Sequence, residues 1–237
     1  MCHHQTINSL PKHCTKKLNQ APCTICYTEK LTNYPQGTTV DTSNLQPGEL
    51  IHMELYFYNV TFISVFTSML TVVCAKTRML WVLPTESKQA PVNIIRFILT
   101  KFNNEQHPCK HVRVYQNGAL EKSIDFTNLL VDEFKISMKD TGGDASWLNG
   151  KNEIHNRIIN SMVISVLSDI NQHANKWCYA AETSAEVHRW KINSALVNNS
   201  PHFAWYGQKP RIHELRTFGC DIYPIKSSTK QSDYIKQ

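Results

Sequence analysis

Cys23-Thr-Ile-Cys26, with His3, His4, His13 and Cys14 upstream, gathers the softest metal ligands of the chain into its first 26 residues. A two-residue gap lets both thiolates reach one tetrahedral ion while the intervening turn offers them backbone N–H groups, which is zinc chemistry. Cys23, Cys26, His4 and His13 are the candidate ligand set. The bland reading of the same residues is a pair of ordinary thiols near a chain terminus. A second chemistry needs acids. Phosphoryl transfer on two divalent ions asks for about three carboxylates converging from strand ends and a helix start, with the ions ~3.5–4 Å apart. Glu54, inside the first strand-like run, and Glu153, early in a long helical pattern, stand at two such places. The third place, a strand end at Arg113-Val-Tyr-Gln-Asn-Gly118, holds no acid. Taken singly, these are a strand glutamate, a strand tyrosine and a helix N-terminal glutamate favoured by the macrodipole. Lys151, His155, Arg157 and Lys76 could line a nucleic-acid groove, and each is also an unremarkable surface residue.

The elements that must position these residues follow from the hydrophobic pattern. Residues 1–34 are poor in core-forming aliphatics and cannot fold on burial alone, so a metal is their natural staple. Residues 35–48, with two Pro, two Gly and many hydroxyl and amide side chains, form a linker. Alternation predicts strands over Leu50–Tyr58, Phe62–Lys76 and Arg78–Leu83, joined as an antiparallel meander. A helix is expected from Pro91 to about Phe102, with Val92, Ile95, Ile98 and Leu99 on one face. A fourth strand, His111–Tyr115, is followed by a helix over Ser123–Glu133 with Ser123 as N-cap, and by a fifth strand, Phe134–Met138. A long helix from about Leu148 to Asp169 carries an apolar stripe of Ile154, Ile158, Met162, Val166 and Ile170, and another helix runs from about Lys176 to Leu196. This is a mixed α/β order around one central sheet. Trp81, Trp147, Trp177 and Trp205 are expected to be packing residues rather than base-stacking platforms.

Composition narrows the class. With 41% hydrophobic and 10% aromatic residues and only 8 Gly in 237, the chain is neither disordered nor collagen-like and can bury a full core. Phe62–Ala75, broken by Ser64, Thr67, Ser68 and Thr71, is too short and too polar to span a bilayer, so no membrane role is expected. The N-terminus lacks the basic and apolar regions of a secretory signal, and the scattered cysteines do not suggest a disulfide framework; an intracellular protein with reduced thiols is expected. A net charge of +6 and a pI near 8.8 suit a polyanionic partner without demanding one.

Several segments together resemble a known family. Leu50-Ile-His-Met-Glu-Leu55 is similar to the segment of copia-type retrotransposon integrases that carries their first catalytic Asp. Arg113-Val-Tyr-Gln-Asn-Gly-Ala-Leu120, with Asp125-Phe126 after it, resembles the segment of the second Asp. Ser146-Trp-Leu-Asn-Gly-Lys-Asn-Glu153 resembles the segment presenting the catalytic Glu. Thr77–Val82, Trp177 with Ala180-Ala181, Pro201 with Trp205–Pro210, and Leu215–Cys220 follow in the family's order. The resemblance implies an RNase H-like mixed five-stranded sheet flanked by helices over residues 49–215, preceded by a small His/Cys-rich helical zinc module and followed by a tail over 216–237. It implies DNA as partner, DNA integration as the lineage's reaction, Mg²⁺ or Mn²⁺ as cofactor, a homo-oligomer, a nuclear location and no small-molecule substrate. The acidic positions map to Glu54, Tyr115 (Gln116 if the register moves by one) and Glu153, with 60 and 37 residues between them. Glu replaces Asp at the first and a neutral side chain at the second, so impaired catalysis is expected. The zinc module is degenerate: no ligand side chain stands near Asn8 or Ser9, where the family's second histidine falls. The span, a module and a core without the other regions of a complete element, leads to the expectation of a decayed copy.

Overall fold

The structure is a computed structural model that describes residues 42–58, 65–114, 118–139, 150–170 and 173–220, with the side chains of residues 150–153 outside the description. The expected zinc ligands His4, His13, Cys23 and Cys26 lie outside the described residues, as do Tyr115, Gln116 and Trp147.

A five-stranded sheet organises the molecule. Its strands are β1 (Leu50–Phe57), β2 (Ser68–Cys74), β3 (Leu80–Thr85), β4 (His111–Val114) and β5 (Ser137–Met138), in the order β3-β2-β1-β4-β5. β1 to β3 form an antiparallel meander, while β4 pairs parallel to β1 and β5 parallel to β4. The parallel pairs need crossovers, and two helical segments supply them. α1 (Val92–Asn104) links β3 to β4, and α2 (Ile124–Asn128), continued by a π-helical stretch Leu129–Glu133, links β4 to β5. Three helices follow: α3 (Gly150–Asp169), α4 (Trp177–Trp190) and α5 (Pro201–Tyr206).

Period-two alternation divides the sheet's residues between two cores. Ile51 and Met53, Leu70 and Val72, Trp81, and Val112 and Val114 face α1 and α2, where Ile95, Ile98, Leu99, Phe102, Phe126, Leu129 and Leu130 meet them. Met69 and Val73 with Leu80 and Val82 face the other way, against Ile159, Val163 and Leu167 of α3 and Trp177, Cys178, Ala180, Ala181 and Ala185 of α4. Burying each large aliphatic or aromatic side chain contributes roughly 1.5–3 kcal/mol, so both faces must stay covered. Trp205 of α5 completes the first core, edge-on to Trp81 at 4.8 Å, and donates its indole N–H to Glu105 at 2.8 Å. Trp81, Trp177 and Trp205 are thus buried packing residues.

Four local expectations are corrected. β2 starts at Ser68 rather than Phe62 and ends at Cys74, because residues 75–77 turn and Arg78 takes the left-handed conformation (φ 59°) that lets Cys74 N–H bond Met79 O at 2.9 Å. The helix expected over Ser123–Glu133 widens after Asn128, with Phe134 N–H bonding Leu129 O five residues back, so that Leu129 and Leu130 both turn inward. Ser123 does cap its start, accepting from Phe126 N–H. The helix over Lys176–Leu196 ends at Trp190: Lys191 is extended, and Val197 and Asn198 have positive φ, closing a short 3₁₀ loop bridged by Asn193 and Asn199. On α3 the inward row is Ile159, Val163 and Leu167, not the expected one, and Ile154 is exposed. Isoleucine and valine occur around much of this helix, so the contact with β1 and β2, rather than the apolar pattern alone, selects the face.

Two glycines are required by geometry. Gly48 (φ 83°) leads into β1 so close to the turn before β4 that a Cβ would meet His107 O at 2.2 Å. Gly207 (φ 69°) ends α5 in the left-handed cap, while Ser200 and Pro201 start it. No helix among the described residues is long and apolar enough to cross a membrane.

Candidate functional site

Glu54 lies on the central strand, opposite Thr71 of β2, whose hydroxyl donates to Glu54 O at 3.1 Å. Since Ile51 and Met53 serve the first core, His52 and Glu54 point to the α3 and α4 side. There Asn156 of α3, 4% exposed, donates its side-chain N–H to Glu54 Oε2 at 2.8 Å. A second clasp lies one helical turn further on: Tyr58 donates its hydroxyl to Asn160 Oδ1 at 2.7 Å while stacking on Trp177 at 4.0 Å. Burial drives the Tyr58 phenol well above its ordinary range, so it stays protonated as a donor. Two asparagines on one face of α3 therefore fasten its N-terminal half to Glu54 in β1 and to Tyr58 just beyond the strand's end.

This contact bears on the expected acidic positions. Glu153 is in α3, three residues before Asn156. Its side chain, like that of Lys151, lies outside the described residues. On the other flank of β1, Val114 pairs with Met53, and Tyr115 is the next residue in the chain. The described structure thus brings the start of α3 and the end of β4 to either side of Glu54. Of the four expected nucleic-acid contacts, Arg157 is exposed and Lys76 donates to Ser43 O at 2.6 Å, whereas His155 is turned inward, 7% exposed, with its ring 5.6 Å from that of His188. Burial first, then the charge of His155, pushes His188 down to about 3, so it is neutral at pH 7.

Arg113 is the feature that sequence reasoning passed over. It sits opposite His52 on β4 and, because Val112 and Val114 serve the first core, it points to the same face as His52 and Glu54. The side chain is half-buried, and its Nε and Nη1 are out of solvent with no hydrogen-bond acceptor among the described residues. Burial lowers its pKa, but a guanidinium remains charged. The ion pairs Arg96–Glu133, Lys101–Glu105, Lys110–Glu49 and Arg211–Glu214 are all elsewhere. An unmet buried donor costs about 1–3 kcal/mol, so this arrangement is expensive for the free protein. The available signal was its place two residues before a family acidic position; nothing in the sequence indicated that its neighbours would leave it unpaired.

The fit of the site to magnesium is decided by donor chemistry. Mg²⁺ wants hard, mostly anionic oxygens in an octahedral array. Glu54 Oε2 already accepts an amide N–H, and Asn156 Oδ1, a neutral oxygen, is buried without a partner among the described residues. No group of three His, Cys, Asp or Glu that could hold a metal occurs among the described residues. Cys74, Cys109 and Cys178 there are buried free thiols and Cys220 an exposed one.

Comparison with known proteins adds the following. No family model matches the chain. Aconitate hydratase A of Rickettsia conorii is 30% identical over 137 residues, covering 58% of this chain and 15% of that protein, and the Rickettsia felis protein is 28% identical with the same coverage. The chain thus spans about 15% of the length of the curated relatives it matches, and this likeness carries no activity across. Among solved structures, the catalytic core domain of HTLV-2 integrase in complex with magnesium, in its trimeric form, superposes with a TM-score of 0.51 at 12% identity, covering 68% of this chain and 98% of that one. Its dimeric form gives 0.50 at 13% identity, covering 67% and 96%. At such identities the likeness speaks to fold alone. The fold of this chain is that of an integrase catalytic core, an RNase H-like mixed five-stranded sheet flanked by helices.

Proposed function

We propose that the chain is an integrase catalytic-core-like protein of copia-type retrotransposon origin that binds DNA, and that its own catalysis is impaired because the acidic positions of its lineage hold Glu54, Tyr115 and Glu153. The observation that carries this reading is the seating of α3 on the central strand through Asn156 and Glu54, with β4 ending on the strand's other flank. That is where an in-line attack on a phosphate would be organised in such a fold, by carboxylates from two strands and a helix. Here the second position is a phenol, which has no carboxylate oxygens to offer a divalent ion. Glu54 is longer than aspartate by a methylene and engaged by an amide. These residues do not fit a two-magnesium clamp, and no metal-dependent step is assigned to this chain. Residues 1–34 belong to the same proposal as a degenerate zinc module with Cys23, Cys26, His4 and His13 as its remaining ligands, as do self-association and a nuclear location.

Two assays on the full chain test the reading. Filter binding of duplex DNA should weaken steeply as salt rises, because each neutralised phosphate releases counterions. Assays of 3′-end processing and strand transfer, with Mg²⁺ and with Mn²⁺, should show no turnover. Turnover that disappears in Glu153→Gln overturns the impaired reading. Binding that is absent even at low salt leaves a non-functional remnant of a mobile element.

A further inference from the structure

Two cationic residues, Arg113 and Lys139, lie on the face of the sheet that carries Glu54. Arg113 stands there with two nitrogens buried and no acceptor on them among the described residues. Lys139 stands next to it. Val112 pairs with Met138, and Lys139 N–H bonds Val112 O at 2.8 Å, so the parallel register continues to place Lys139 alongside Arg113. Met138 packs against the first core, as Val112 does, so the next residue of each strand faces the other way. Lys139 is exposed where Arg113 is half-buried, and no ion pair of either occurs among the described residues. Glu54, two residues along β1 from the partner of Arg113, or roughly 7 Å along the strand, is the nearest carboxylate on this face of β1, and Asn156 holds it.

A guanidinium withdrawn from water without a counter-charge is a poor structural element and a good half of a binding site. Its fork of N–H groups matches the oxygens of a phosphate, and an exposed lysine one strand away adds a mobile point charge. We infer that Arg113 and Lys139 form a phosphate-binding pair that holds the DNA backbone against this sheet face without any divalent ion, fixed protein cations standing where the charge of metal ions would otherwise be needed. The inference deepens the DNA-binding reading above and rests on it. Phosphodiester groups of a duplex are the ligand; no base edge is read, because nothing but charge and the fork geometry is on offer.

The test is fluorescence anisotropy of a labelled random-sequence duplex with the full chain, in EDTA and in Mg²⁺, at several salt concentrations. Wild type should bind at least as well in EDTA as in Mg²⁺, which competes for the phosphates. Arg113→Gln should weaken binding by about tenfold, Arg113→Lys by less, and Lys139→Gln should lower the salt slope by about one while circular dichroism stays unchanged. Because Lys139 is exposed, its variant keeps the test valid even if Arg113→Gln fails to fold. Affinity that collapses in EDTA and returns with Mg²⁺ overturns the inference, as do Arg113→Gln and Lys139→Gln proteins that bind like wild type. A wild-type chain that binds no duplex at any salt concentration overturns the DNA-binding reading itself, a distinct result.

Discussion

Replacing Arg113 by Met should make the free protein more stable, which is an unusual expectation for a half-buried strand residue. Nε carries one N–H and Nη1 two, so three donors are out of solvent without an acceptor among the described residues. At about 1–3 kcal/mol for each unmet donor the gross penalty is several kcal/mol, reduced because the residue is only half-buried and its remaining nitrogen can be hydrated. Methionine keeps the apolar stem that packs beside His52 and removes the donors. A net stabilisation of about 1–2 kcal/mol is expected, and at roughly 2–4 °C per kcal/mol for a chain of this size the melting temperature should rise by about 2–8 °C. Differential scanning calorimetry in a buffer free of phosphate and sulfate reads it. Added inorganic phosphate should then raise the melting temperature of wild type but not of Arg113→Met. A variant that melts below wild type by the same margin refutes the reasoning, since it would mean that the guanidinium is satisfied in the folded chain.

Other perturbations address the seating of α3. Asn156→Ala removes the amide that Glu54 Oε2 accepts and should cost about 1–3 kcal/mol in urea unfolding, as for other hydrogen bonds to charged groups. Tyr58→Phe keeps the stack on Trp177 but leaves Asn160 Oδ1 without its donor, and should cost about 1–2 kcal/mol with an unchanged fluorescence spectrum. His188, held neutral at about 3, protonates in the unfolded chain from its ordinary value near 6.5 downward. The unfolded state therefore binds the extra proton in that window, so stability should be level above pH 6.5 on this account and fall as pH drops toward 3. His188→Phe should flatten that part of the profile.

How far the sequence could be read depends on which elements had a partner-independent signal. β1 and α1 were legible because their apolar positions recur with a clean period and their other positions are polar. Ser123 carries capping chemistry in its side chain, and the structure uses it; Ser200-Pro201 starts α5 with the same chemistry, a signal the sequence reading did not take up. α3 was different: with Ile, Val, Met and Leu distributed around it, the period admitted two neighbouring faces, and the polar contacts of Asn156 with Glu54 and of Asn160 with Tyr58 settle which turns inward. An asparagine four residues before another is no signal in itself. The same holds for Arg113, whose lack of partners is a property of the sheet face and not of any motif. The positions Glu54, Tyr115 and Glu153 came from family resemblance, and only Glu54 has a described side chain.

The proposed loss of the metal cage can be tested directly by titrating Mn²⁺ into the full chain and following the free ion by electron paramagnetic resonance, beside the variant that carries both Glu54→Asp and Tyr115→Asp. The wild-type chain should take up no Mn²⁺ at sub-millimolar concentrations, apart from any that also binds to Glu153→Gln. The doubly substituted chain should gain at least one site that Glu153→Gln removes. Tight Mn²⁺ uptake by wild type that depends on Glu153 would contradict the account.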